Sequence, residues 1–268
     1  YLIRLTDRLM EQKFTNYRCQ NRVGFITLCR SEKRNALNNQ FVTQLSDNFT
    51  LAIEDPECKV IVLEAEGTVF CGGADLQYLQ NLQNNSYQEN VADSNHLMQL
   101  FKKIYFSPKL VIANIQGHAI AGGCGLATVC DISIASEKAK FGYPEVNIGF
   151  IPAIVSVFLL KKVGETIAKD LLLSGRKIEA QEAQEIGLIT KAVKEEDLKQ
   201  YVLDLANRAC NNNSSQSVLL TKELMHKVHS MSVEEGLNEA VLFNANARKT
   251  DDFKKGIASF LNNEKLTW

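Results

Sequence analysis

Two glycine-rich segments supply the first candidates for chemistry. Phe70–Asp75 (FCGGAD) and Ala121–Gly125 (AGGCG) each follow an apolar run typical of a buried strand, and each precedes a helical pattern. The first N–H groups of a helix have no partner within the helix and favour negative charge. Two such turns lying side by side could direct two backbone N–H groups at one oxygen, which is the arrangement of an oxyanion hole. Ordinary tight turns with close helix–strand packing are the alternative.

A single carboxylate is the second candidate. Glu145 lies in the segment FGYPEVNIGFIP, among aromatic and aliphatic residues. Apolar surroundings raise the pKa of a carboxyl group, which suits proton transfer near neutral pH. The alternative is a solvated loop carboxylate, which most glutamates are.

Other catalytic patterns fail on spacing or context. Residues 123–128 begin like a dinucleotide-binding GxGxxG, but the last position is Thr128 and five residues separate the segment from the preceding strand. The sequence has no GxSxG, HExxH or zinc-type cysteine spacing. Cys71 and His118 could form a nucleophile–base pair, although a buried thiol and a polar turn histidine are the simpler interpretation. We therefore expect neither a metal nor a separate cofactor.

The elements that position these residues indicate an α/β protein. Strand-like apolar runs at 59–63, 109–115 and 131–135 alternate with helical patterns, which favours parallel pairing. The polar, asparagine-rich residues 80–90 predict a mobile loop, and a helix is expected from about 91 to 106. From Glu195 onward only helical patterns follow, with Val233, Leu237 and Val241 on one face.

Composition limits the functional class. The 268 residues are 45% hydrophobic, enough for a sizeable core, and carry a net charge of −1. No charge run predicts a nucleic-acid partner, and no apolar run reaches the roughly 18–20 residues of a membrane span. Seven cysteines without a CxxC pair predict reduced thiols inside a cell. We expect a cytoplasmic protein, with an organelle matrix as the alternative.

Several motifs together resemble one family. In this order and spacing, FCGGADL, AGGCGLATVCD and FGYPEVNIGFIP are similar to the enoyl-CoA hydratase/isomerase superfamily, the crotonase fold. RSEKRNALNNQF resembles its amino-terminal signature, and DDFKKGIASFL its carboxy-terminal helix. The resemblance covers nearly all of residues 20–268.

The resemblance implies a fold and an assembly. It implies a spiral of ββα units over residues 1–197, which binds an acyl-CoA thioester, and a helical trimerisation region over residues 198–268. The expected assembly is a homotrimer, often paired into a hexamer.

It also implies residue roles. The N–H groups of Ala74 and Gly122 would hold the thioester oxygen and stabilise an enolate, and Glu145 would transfer the proton. The remaining positions expected at the substrate are Arg34 beside the CoA phosphates, Ala36, Gly72 at the adenine, Asp75, Gly125, Tyr143 and Pro152.

The chain departs from the family at one of these positions. Typical hydratases carry a second glutamate three residues after the hole-forming glycine, where this chain has Gly125. The resemblance favours hydration of a 2-enoyl-CoA, including a branched, methylglutaconyl-like one. The single carboxylate favours Δ3,Δ2-enoyl-CoA isomerisation, and a non-catalytic acyl-CoA-binding or scaffold protein is the third alternative.

Overall fold

Two sheets organise the chain. The structure, a computed structural model, describes residues 12–268. The strands are β1 (Thr15–Gln20), β2 (Val23–Leu28), β3 (Val60–Ala65), β4 (Val69–Cys71), β5 (Leu110–Ile115), β6 (His118–Ile120), β7 (Ile132–Ser136), β8 (Lys140–Gly142), β9 (Lys177–Glu179) and β10 (Lys191–Val193). One sheet has the order β1-β2-β3-β5-β7-β10 and the other β4-β6-β8-β9.

Ten α-helices connect and cover the sheets in the described part of the chain. They are α1 (Asn39–Glu54), α2 (Leu76–Leu82), α3 (Tyr87–Tyr105), α4 (Gly122–Val129), α5 (Ala153–Ser174), α6 (Ala180–Glu185), α7 (Glu195–Asn212), α8 (Ser215–Val228), α9 (Val233–Ala247) and α10 (Asp251–Leu261). Gly164, with φ +77°, interrupts α5. A 3₁₀ turn covers Pro144–Ile148.

The strand pairs repeat in a spiral. In β3–β4, β5–β6 and β7–β8, the first strand joins the six-stranded sheet and the second joins the four-stranded sheet, and a helix follows each pair. Pairing is parallel except between β1 and β2 and between β8 and β9. The predicted spiral of ββα units is therefore confirmed. It brings the ends of β4, β6 and β8 to one edge, where α2, α4 and the 3₁₀ turn begin.

The six-stranded sheet is buried on both faces. Its inner face joins the main core with α1, α3, α4 and α5. Its outer face packs against α7 through residues that include Leu198, Val202 and Ala206. Burial on both faces explains why β3 and β5 are continuous apolar runs. The predicted boundary between residues 197 and 198 falls inside α7, which covers this outer face.

The last three helices contrast with the core. None of α8, α9 or α10 has a fully buried residue, and Leu237, Val241 and Phe260 are exposed. An ion pair of 2.6 Å from Lys222 of α8 to Asp131 ties this region to the sheet. Asp131 also accepts a hydrogen bond from the N–H of Val111 at 2.8 Å, which agrees with the structural role expected of an acid at a strand start.

The prediction of a loop over residues 80–90 is wrong for most of that segment. α2 continues to Leu82, and α3 begins at Tyr87 rather than near 91. Ser86 and Glu89 form a reciprocal capping box that starts α3 four residues early. The side-chain cap outweighs the low apolar content on which the loop prediction depended.

Candidate active site

The two glycine turns lie against each other. Gly73 has φ +91°, and a Cβ built on it would lie 2.7 Å from the Cβ of Ala121 and 3.5 Å from the nitrogen of Gly122. Such a contact is too close for any side chain, and the positive φ independently favours glycine. Glycine at position 73 therefore permits the approach that the sequence predicted.

The first turn is held by a short bridge to residues 34–37. The N–H of Leu37 donates to Gly73 O at 2.7 Å, and the N–H of Asp75 donates to Leu37 O at 2.8 Å. Backbone groups alternate in direction along an extended segment, so the N–H of the intervening Ala74 points away from Leu37. No backbone carbonyl of residues 12–268 accepts from that N–H outside the regular elements. It remains available to a ligand.

The second turn provides a helix N-terminus. Ala121 is the N-cap of α4, with φ +53°, and its N–H donates to Gly142 O at 2.8 Å. Gly122 is the first residue of the helix, so its N–H has no partner in the helix and lies at the positive end of the helix dipole. Ala74 and Gly122 line the same cleft. The geometry therefore supports a two-donor site for a developing negative charge.

The cleft beside these donors has a volume of about 910 Å³. Its walls come from α2, α3, the 3₁₀ turn and the first turn of α5. The apolar residues of the walls are Leu37, Val42, Leu76, Leu79, Leu82, Leu97, Ile120, Ile148, Phe150, Ile151, Ile154 and Val155.

Glu145 lies in the 3₁₀ turn and lines this cleft. Its Oε2 is buried without a hydrogen-bond partner in the described part of the chain. Burial raises the pKa of the Glu145 carboxyl, because the charged form loses hydration. The structure thus gives this residue the partly buried, apolar surroundings that the sequence predicted.

Position 125 contrasts with Glu145. A Cβ built on Gly125 would lie 2.3 Å from Val155 Cγ1 and 2.7 Å from Phe101 Cε1. Both side chains are almost fully buried. Hydrocarbon therefore occupies the space into which a side chain at 125 would extend, and Gly125 itself does not line the cleft.

Asp75 has a structural role next to the candidate oxyanion hole. It caps α2 by accepting from the N–H of Gln77 at 3.0 Å, and it accepts from Arg30 at 2.8 Å. Burial alone would raise the pKa of Asp75, but the hydrogen bonds from Arg30, Tyr78 and Gln77 outweigh it and lower that pKa. Arg30 also donates to Ala36 O at 2.8 Å. No role was predicted for Arg30, although it is the first residue of the RSEKRNALNNQF segment.

Three more predicted ligand residues lie outside the cleft walls. Tyr143 is fully buried, and its hydroxyl is hydrogen-bonded to Thr128 Oγ1 at 2.7 Å, so it cannot reach a ligand in the cleft.

Arg34 is exposed, with φ +54°, and its carbonyl accepts from the N–H of Gly72 at 2.9 Å. Ala36 contributes its carbonyl to Arg30. Gly72 and Pro152 line the cleft as expected.

Neither a thiol nor a metal site competes with this arrangement in residues 12–268. Cys71 is buried, its thiol donates to Asn35 O at 3.1 Å, and burial raises its pKa to about 12. His118 is exposed and accepts from the N–H of Lys140, so the proposed Cys71–His118 pair has no support. No cluster of His, Cys, Asp or Glu in the described residues could hold a metal ion. Nor does any described helix have the length and apolar character needed to cross a membrane.

Comparisons with known proteins identify the family of the chain. The profile of the enoyl-CoA hydratase/isomerase family matches residues 18–268. The chain is 34% identical to enoyl-CoA hydratase domain-containing protein 3, mitochondrial, of Danio rerio, over 93% of this chain and 85% of that protein. It is 32% identical to 2,3-dehydroadipyl-CoA hydratase of Escherichia coli, over 90% of this chain and 93% of that protein.

The solved structures agree as well. The crystal structure of human enoyl-CoA hydratase domain-containing protein 3 superposes with a TM-score of 0.90 at 29% identity, covering 96% of this chain and all of that one. The chain belongs to the enoyl-CoA hydratase/isomerase family and has the crotonase fold.

Proposed function

We propose that the protein binds an acyl-CoA thioester and stabilises its enolate with the N–H groups of Ala74 and Gly122. The observation that carries this proposal is the contact between the two turns, which brings both N–H groups to one cleft. A thioester carbonyl gains negative charge as the enolate forms, so preorganised donors bind the transition state more tightly than the substrate.

Glu145 is the proposed acid and base. Among residues 12–268, only Glu145 and Asp93 of the cleft lining carry a carboxyl group. Glu145 combines a buried oxygen without a partner with a raised pKa, both of which favour proton transfer near neutral pH. Asp93 accepts a hydrogen bond from Tyr78, which ties its carboxylate to α2.

Hydration of a 2-enoyl-CoA is the first candidate reaction. Glu145 would take a proton from water as the oxygen attacks C3, and the same carboxyl would return a proton to C2 of the enolate. The relatives above are named as hydratases, which supports this assignment.

Isomerisation of a 3-enoyl-CoA is the second candidate, and the surroundings of Gly125 favour it. Val155 and Phe101 fill the space beside that glycine, so no second carboxylate helps to position water there. Glu145 would take a proton from C2 and return it to C4 through the same enolate. This route requires one carboxyl group and no water.

An assay with matched substrates separates these candidates. Crotonyl-CoA reports hydration, 3-hexenoyl-CoA reports isomerisation, and saturated butyryl-CoA reports binding alone. Binding with turnover of either enoyl-CoA supports the enzyme, and the larger kcat/KM identifies the reaction. Binding without turnover of either would favour the non-catalytic role. Activity that a chelator removes and a divalent metal restores would contradict the expectation that no metal or separate cofactor takes part.

We also propose that α8–α10 mediate self-association into a trimer or a pair of trimers. Leu237 and Val241 on α9 and Phe260 and Leu261 on α10 are exposed, and exposed apolar residues concentrated in one part of a chain favour an interaction surface. Sedimentation at micromolar concentration should show a species of at least three chains. The cytoplasm remains our expected compartment, although the Danio rerio relative is named as mitochondrial.

A further inference from the structure

The wall of the cleft between α2 and α3 carries a fixed negative charge. The hydroxyl of Tyr78 on α2 donates to Oδ1 of Asp93 on α3, and both residues line the cleft. Burial, and then this hydrogen bond, raise the pKa of Tyr78 to about 12, so the phenol remains the donor and Asp93 the acceptor. Within residues 12–268, no second hydrogen bond to the Asp93 carboxylate accompanies the one from Tyr78.

This wall is the part of the cleft that suits an acyl chain. The cleft that Ala74 and Gly122 line also contains Leu79 and Leu82 of α2 and Leu97 of α3, together with Asp93. The charged CoA moiety is expected near the exposed Arg34, whose carbonyl accepts from the N–H of Gly72. An acyl chain held at Ala74 and Gly122 would then lie along the apolar wall that contains Asp93.

In the described part of the chain, this wall offers amide and hydroxyl side chains but no lysine or arginine to balance a second negative charge. No lysine or arginine of the described residues lines the cleft, whose charged members are Asp93 and Glu145. His96, one turn beyond Asp93 on α3, also lines it, but its Nε2 lies 3.0 Å from Thr43 Oγ1. A carboxylate on the acyl chain would meet like charge where water is partly excluded.

We propose that Asp93 is a specificity-determining residue that selects acyl groups without a second carboxylate. The inference rests on the proposed acyl-CoA function and narrows it. It disfavours methylglutaconyl-like and dehydroadipyl-like substrates and favours uncharged acyl chains.

The test compares two saturated ligands of equal chain length. Hexanoyl-CoA and adipoyl-CoA differ at C6, and neither can be hydrated or isomerised, so calorimetry measures binding alone. We expect adipoyl-CoA to bind at least about tenfold more weakly, as expected for like charges within several ångströms near a protein surface. Asp93→Asn keeps an acceptor for Tyr78 and removes the charge. It should reduce the difference to about threefold or less by strengthening adipoyl-CoA binding.

Asp204→Asn is the matched control, because Asp204 is an exposed acid on α7 outside the cleft. It should leave the ratio of the two affinities unchanged. Equal or tighter binding of adipoyl-CoA by the parent protein would overturn the inference while leaving the proposed function intact. In that case a loss of adipoyl-CoA binding in His96→Gln would identify the source of attraction. An unchanged ratio in Asp93→Asn would also overturn the role of Asp93. Failure of both ligands to bind would instead contradict the proposed function.

Discussion

Glu145 and Gly125 occupy the two positions at which the resemblance to hydratases leads us to expect catalytic carboxylates, and the structure surrounds them very differently. Glu145 lines an open cleft and has one buried oxygen without a partner in the described chain. Gly125 is buried beneath Val155 and Phe101, with no room for a Cβ. Residue 145 faces the cleft, whereas residue 125 is enclosed by the packing of Val155 and Phe101.

The packing at position 125 differs from what removal of a glutamate side chain alone would leave. A glutamate truncated to glycine in an otherwise unchanged site would leave a cavity, which costs stability in proportion to its volume. Here hydrocarbon fills that space and extends the main core up to the cleft. The packing around Gly125 therefore fits a site with one carboxylate, so that the proposed acid–base chemistry would depend on Glu145.

Glu145→Gln should produce the largest effect. Glutamine keeps the size and part of the hydrogen-bonding capacity but cannot accept the proton. We expect kcat to fall by roughly 10²–10⁴-fold with little change in the affinity for butyryl-CoA. Glu185→Gln, at an exposed position on α6, is the matched control and should retain the parent rate. Parental turnover by folded Glu145→Gln would remove this residue from the mechanism.

Gly122→Pro should have the next largest effect. Proline removes the N–H proposed for the oxyanion hole, although the first position of a helix tolerates it. Loss of one such donor typically lowers kcat by roughly 10²–10³-fold. Gly122→Ala is the control, because it keeps the N–H and its Cβ would lie 3.2 Å from Leu37 Cδ1 and 4.0 Å from Gly73 Cα. Circular dichroism must show that both variants fold, since Ala121 has an unusual φ. Equal rates for the two variants would exclude this N–H from catalysis.

The sequence predicted the backbone turns of the site better than it predicted the side-chain contacts around them. Glycine turns after buried strands are short-range signals, so both turns could be located from the order of residues along the chain, and the family resemblance then pointed to Ala74 and Gly122 within them. The resemblance also led us to expect Tyr143 at the substrate, yet its hydroxyl points into the core toward Thr128. Arg30 is hydrogen-bonded to Asp75, and Asp93 to Tyr78 on another helix. Val155 packs on Gly125, which lies thirty residues earlier in the chain. Such contacts depend on tertiary packing, which residue spacing does not encode.

Packing at position 125 can be measured directly. Gly125→Ala places a methyl group against Val155 and Phe101, and overpacking of this kind typically costs about 1–3 kcal/mol. We expect urea denaturation to show that loss in the free energy of unfolding. In the presence of Val155→Ala, the same substitution should cost at least about 0.5 kcal/mol less, because the two positions share a contact. Strict additivity of the two substitutions would contradict the proposed filling of the space. Gly125→Glu in the parent protein should be more damaging still, since it adds a buried charge.

The smallest expected effect concerns the stability contribution of Glu145 itself. Its pKa is raised in the folded protein, so the native state binds this proton more readily than the unfolded chain does. The stability that Glu145 contributes through this proton is complete below its pKa in the unfolded chain, near 4.5. It is lost as the pH rises through the higher pKa of the folded protein. Glutamine has no such titration.

Glu145→Gln should therefore gain stability relative to the parent as the pH increases from about 4.5 to 8, reaching a plateau above the folded pKa. Melting temperatures or urea midpoints across this range measure the difference. Glu185→Gln, which lies on the surface, should show no comparable trend. If the stability difference between variant and parent did not change with pH, the cleft would not destabilise the charged carboxylate. The same would follow if the parent became more stable relative to the variant as the pH rises. An increase in the relative stability of Glu145→Gln with pH would instead show that the charged Glu145 destabilises the fold. Such a cost is expected for a residue that serves function rather than stability.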